Sequence, residues 1–129
     1  MSTSAAIGIK LPDGTVKAIR LNWDDYVAHA GTMLGGWYKT AEAADALIAL
    51  GDLSEINEMP ETCVAYHRDR GEQYRHPRTF ASVEDYQYCG MGQMNANYLY
   101  IYDDGAWHVY GLDRTSEWVG LEVTINKEN

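Results

Sequence analysis

Apolar and polar residues alternate at two places along the chain, and each alternation breaks on an Asp-Gly pair. In the first, Ile7, Ile9 and Leu11 precede Pro12-Asp13-Gly14-Thr15, and Val16 and Ala18 follow. A period of two marks strands with one buried face, and Asp-Gly tolerates the positive φ of a type I′ turn. Residues 6–21 are therefore expected to form a hairpin in which Leu11 faces Val16 and Ile9 faces Ala18. The second hairpin, 97–112, turns on Asp104-Gly105 and sets Tyr102 against Trp107 and Tyr100 against Val109. One of its faces carries Tyr98, Tyr100, Tyr102, Trp107 and Val109; the other carries Leu99, Ile101, His108 and Tyr110.

Between the hairpins the apolar period lengthens to that of a helix. Tyr26, Val27, Ala30, Met33, Leu34 and Trp37 fall on one stripe behind a start at Asn22 or Asp24, and Gly35-Gly36 weakens the last turn. Thr40 caps a second helix, 41–50, with Ala44, Leu47 and Ile48 inward and Gly51 as its stop. Residues 52–62 read as an irregular turn or draped loop ended by Pro60, 63–67 as a short strand and 68–78 as a polar loop. Ser82 opens a short helix ending near Cys89, followed by a Gly-rich loop from Gly90 to Asn95. A last strand is expected over 118–125, with 126–129 frayed. The sum is a single α+β domain over 1–129: an antiparallel sheet of two hairpins plus extra strands, with two to three short helices on one face.

Charge changes this picture, because it is segregated. Between Thr40 and His67 stand Glu42, Asp45, Asp52, Glu55, Glu58 and Glu61, without a lysine or arginine. Directly after come His67, Arg68, Arg70, Arg75, His76 and Arg78, relieved by Asp69 and Glu72. The net charge is −9. That balance argues against direct binding of nucleic acid or of an anionic membrane, and suits a basic partner or mimicry of nucleic acid; solubility alone would also explain it. No segment reaches the roughly 20 apolar residues that span a bilayer. No basic start followed by an apolar run marks a signal peptide. A soluble, cytoplasmic protein is expected, with Cys63 and Cys89 as free thiols that fill the core.

Catalytic signals are weak. Asp24, Asp25 and His29 open a helix, with Asp25 and His29 on one face, a pattern that serves a cap as readily as a proton shuttle. His67 and Asp69 would share one side of a strand, but no further ligand has metal-type spacing, so neither metal nor cofactor is expected. Arg68 and Arg70 would form two forks for an anion, unless the acidic run neutralises them. The carboxylates Asp52, Glu55, Glu58 and Glu61 resemble a phosphate line able to occupy a basic groove. With the rings Tyr98, Tyr100, Tyr102 and Trp107 as anchors, they make the candidate partner-binding surface.

Several blocks together resemble a family of small proteins encoded by phages and prophages. These are Ala6-Ile7-Gly8-Ile9, Pro12-Asp13-Gly14-Thr15-Val16, Ala18-Ile19, Trp23-Asp24-x-Tyr26 and Leu47-Ile48-x-Leu50-Gly51-Asp52-Leu53-Ser54. Ala65-Tyr66-x-Arg68-Asp69-Arg70-Gly71-Glu72 and Asp104-Gly105-x-Trp107 belong with them. The resemblance implies a phage accessory protein and, by analogy, an inhibitor of host defence of the anti-CRISPR kind. The expected partner is a host protein with a basic nucleic-acid-binding surface; oligomeric state is open. The alternative is a small enzyme or nucleotide-binding domain using Arg68, Arg70, His67 and Asp24.

Overall fold

The computed structural model describes residues 4–22, 27–111 and 118–121. Asp24, Asp25, Trp23 and Tyr26, and the final strand beyond Leu121, lie outside the described residues.

Strands β1 (Ser4–Lys10) and β2 (Val16–Asn22) form the first hairpin, but one residue out of the expected register: Ile9 pairs with Lys17 and Ile7 with Ile19. The cause is Pro12. Its fixed φ suits the second position of a type I turn, and Gly14 N–H donates to Leu11 C=O at 2.8 Å. Asp13 keeps a negative φ, so the left-handed step falls to Gly14 alone, at φ 90°, and the loop grows by one residue. In the second hairpin, β6 (Tyr98–Asp103) and β7 (Ala106–Tyr110), no proline intervenes. Asp104 and Gly105 both take positive φ, 53° and 80°, and Tyr102 pairs with Trp107 as the type I′ turn requires.

A π-helical turn, Val27–Gly31, leads into α1 (Thr32–Trp37). Helix α2 (Ala41–Ile48) follows, its Thr40 side chain accepting from Ala43 N–H. The segment expected as a loop contributes β3 (Leu53–Glu55), and β4 (Val64–Ala65) gives way at once to α3 (Tyr66–Arg70), where a strand and polar loop were expected. Strand β5 (Arg78–Phe80) precedes α4 (Val83–Gln93), and β8 (Trp118–Gly120) ends the described chain. Helix α4 runs past the expected end at Cys89 through Gly90. A Cβ there would stand 3.2 Å from Leu99 Cδ1, so the glycine lets the helix lie close on the sheet.

The α+β class holds. The sheet, 8-stranded among the described residues, has the order β4-β3-β2-β1-β6-β7-β8 with β5 also on β2. It is mixed rather than antiparallel: β1 pairs β6 and β2 pairs β3 in parallel. Helices α1 and α2 carry the chain back across the sheet between β2 and β3, the crossover that a parallel pair requires. Helices also cover both faces, not one. Leu34, Ala44, Leu47 and Ile48 pack with Ile7, Ile19, Leu21 and Tyr100. Tyr86 and Met94 of the α4 region pack with Ala6, Ala18, Leu99 and Ile101 on the other side.

Candidate functional site

The expected aromatic surface is interior. Tyr100 is 0% exposed, Tyr102 8% and Trp107 5%, and Tyr98 is half-buried against the same cluster. These rings serve the fold itself. Trp107 Nε1–H donates to Tyr38 C=O at 2.7 Å and Tyr102 O–H to Lys39 C=O at 3.1 Å. The carbonyls that follow α1 thus receive donors from the hairpin, as a helix end buried against a sheet demands. Tyr100 and Trp107 are core rather than partner anchors, and Tyr98 and Tyr102 reach the surface only at an edge, which corrects the expectation of four exposed rings. Trp37, placed on the inward stripe by spacing, is instead 58% exposed. Cys63 is buried as expected, whereas Cys89 is exposed and fills no core.

The acidic run, continuous in sequence, disperses in space. Asp52 turns to the sheet, where its Oδ1 accepts the Arg20 backbone N–H at 3.0 Å. Glu55 accepts from Asn57 Nδ2 at 3.2 Å. Glu58 and Glu61 lie exposed on the loop that carries Met59 and Pro60. Ion pairs among the described residues are Lys10–Asp103, Arg68–Asp69 and Arg70–Glu72, so the acidic run is not neutralised by the arginines that follow it.

Nor are Arg68 and Arg70 two free forks, because they sit on a helix. Arg68 is consumed locally: it grips Asp69 through Nε and Nη2 at 2.9 and 2.8 Å and donates to the carbonyls of Pro60 and Cys63. These bonds, with the Ala65 N–H, hold the Asp69 carboxyl below its ordinary range. Arg70 lies over the Tyr66 ring, 5.1 Å from its centroid, and 3.7 Å from Glu72. His67 Nδ1 is 2.8 Å from Glu72 C=O. Among the described residues no cluster of three or more His, Cys, Asp or Glu side chains has metal-binding geometry, and no helix is long and apolar enough to cross a membrane.

Sites that the sequence did not single out lie at the two ends of the sheet. Because β1 runs parallel to β6, with Ile9 beside Tyr102, the two hairpin turns project from the same end. There a broad groove of about 860 Å³ opens between the turns and the start of α2. Leu11, Pro12 and Tyr102 line it together with Glu42, Asp45, Asp103 and Asp104. Lys10 pairs with Asp103 at 3.6 Å; no ion pair among the described residues engages the other three carboxylates.

At the opposite end, where Arg20 faces Ala6 and Asn22 faces Ser4, the edge of β2 is interrupted. Strand β5 pairs with Val16 to Ala18 and β3 with Leu21, leaving Ile19 and Arg20 between them. Asp52 fills the gap at the backbone, and the segment 71–77 arches across it. Tyr74 O–H anchors this arch on Ala49 C=O at 3.0 Å, and its ring lies edge-on between His67 and His76. Cavities of about 190 and 470 Å³ result, and Arg20, Asp52, Gln73 and Arg75 line both. Arg20 Nε is buried there without a hydrogen-bond partner, a state that costs about 1–3 kcal/mol. The sequence hid this site because Arg20 reads as an ordinary alternating strand residue. A lone arginine amid a period-two pattern was the only signal.

Comparison of the chain with known protein families, curated proteins and solved structures finds no match.

Proposed function

We propose that this protein is a non-enzymatic binding module that takes a basic, partly apolar segment of another protein into the groove between its two hairpin turns. The carrying observation is that Glu42, Asp45 and Asp104 stand unneutralised around a floor of Leu11, Pro12 and Tyr102. Unpaired carboxylates steer a basic partner and fix its orientation, while burial of the aliphatic parts of lysine and arginine on such a floor slows its release. With a net charge of −9, the partner class selected is a protein whose surface normally handles nucleic acid. The resemblance to phage accessory proteins makes inhibition of a host defence complex the matching biological role.

Capture from host lysate tests this when it is run at rising salt with two variant sets. A nucleic-acid-binding protein retained at low salt, released at high salt and lost with Glu42→Gln/Asp45→Asn/Asp104→Asn, but kept by Glu58→Gln/Glu61→Gln, is the expected result. Capture indifferent to salt, or unaffected by the groove variants, overturns it. Of the residues named for the enzyme alternative, Arg68 is tied to Asp69 and two carbonyls, and Asp24 lies outside the described residues.

A further inference from the structure

We infer that the cleft around Arg20, at the end of the sheet away from the acidic groove, is a binding site for a small oxyanion of the phosphate type. The first ground is the orphan donor. Arg20 Nε is buried and unpartnered, and no hydrogen bond or ion pair among the described residues engages the rest of its guanidinium. A planar guanidinium with neighbouring N–H groups unspent matches two oxygens of one anion.

The second ground is the remaining lining, which supplies donors and positive charge toward the same space. Arg75 lines both cavities, and Arg78 and His76 line the larger. Asn22 Nδ2 donates to Tyr66 Oη at 2.9 Å, which leaves the Tyr66 hydroxyl proton free to point into the smaller cavity. The His67 ring is fixed at the edge of the smaller cavity by its Nδ1–H, which donates to Glu72 C=O at 2.8 Å.

The cleft also contains carboxylates, each with one oxygen engaged. Asp52 Oδ1 accepts the Arg20 backbone N–H, and Glu72 lies 3.7 Å from Arg70 Nε. The smaller cavity, about 190 Å³, suits a phosphate-sized group. The adjoining 470 Å³ leaves room for a substituent on it. The arch that closes the cleft is fixed to its surroundings through Tyr74 on Ala49, Glu72 N–H on Tyr66 C=O and Arg78 on Gln93 C=O. The site is therefore largely formed before a ligand arrives.

The test is titration of the full chain with inorganic phosphate, and separately with acetate, at constant ionic strength, followed by amide and arginine side-chain NMR. Saturable phosphate-induced shifts confined to residues 20–22, 50–52, 66–78 and 93–95, with acetate much weaker, are expected. Arg20→Lys keeps the charge and the strand but removes the Nε–H fork, and Arg75→Gln alters an exposed side chain. Each should weaken phosphate binding by about tenfold or more, with an unchanged far-UV spectrum showing that the fold is intact. Absence of saturation, an equal response to acetate, or phosphate binding unchanged in Arg75→Gln overturns the inference.

Discussion

The two ends of the sheet carry opposite character and are built in opposite ways. At the turn end, local sequence makes the geometry: Pro12-Asp13-Gly14 and Asp104-Gly105 each fix their own loop, and the parallel pairing of β1 with β6 places the loops side by side. At the other end nothing is local. The gap beside Arg20 exists because two short strands from distant parts of the chain, β3 and β5, pair with the same edge of β2 and leave Ile19 and Arg20 between them. An acidic surface of exposed turns tolerates change, whereas a polar cleft closed by long-range contacts concentrates its dependence in a few residues.

Experiments can break this contrast in order of expected effect. The middle of the sheet holds both ends in place, so Tyr100→Ala should lower stability by about 3–5 kcal/mol, the usual cost of emptying a large aromatic site, measured by urea unfolding. A small effect there would return the rings to the surface and revive them as partner anchors. Gly51→Ala attacks the arginine end alone. Its φ of 78° and the approach of Arg75 C=O to 2.9 Å from the added Cβ predict a loss of about 1–3 kcal/mol. Phosphate-induced shifts should weaken with it, while partner capture by the groove is preserved at temperatures where the variant stays folded.

At the turn end, Gly105→Ala should cost about 1–2 kcal/mol, because a Cβ opposes left-handed backbone. Pro12→Ala should cost only about 0.4–1 kcal/mol, by loosening the unfolded chain. Equal costs would contradict the difference in turn type between the two hairpins. The smallest effect belongs to Asp69→Asn. The folded carboxyl titrates below its ordinary value of 3.8, chiefly through its bonds with Arg68. It therefore contributes stability that is fully present above that value and is lost as the pH falls through the folded one. The gap in urea midpoint between wild type and variant should be open at neutral pH and close as the pH falls below 3.8 through the folded titration; a gap constant with pH would assign the role of Asp69 to shape alone.

Some features were legible in the sequence for a physical reason: they depend on residues near each other along the chain. Both hairpins, the Thr40 cap, the Gly51 stop and the Ser82 cap are of this kind, and each forms where expected. Asp-Gly alone predicts the wrong register for the first hairpin, because Pro12 sets a turn in which only Gly14 takes the left-handed step. Strands β3 and β5 escaped notice because 3 residues carry no period; their pairing with β2 creates them.

The same distinction separates charge from site. Composition settled that the protein is strongly acidic, and alternation settled which residues share a strand face. That both faces are buried, which carboxylates stay unpaired and which arginine is left without an acceptor depend on where α1, α2 and α4 come to rest. Burial and ion pairing are relations between groups far apart in sequence, fixed only when the chain closes on itself, so Tyr102 became core while the unremarkable Arg20 became the floor of a cleft.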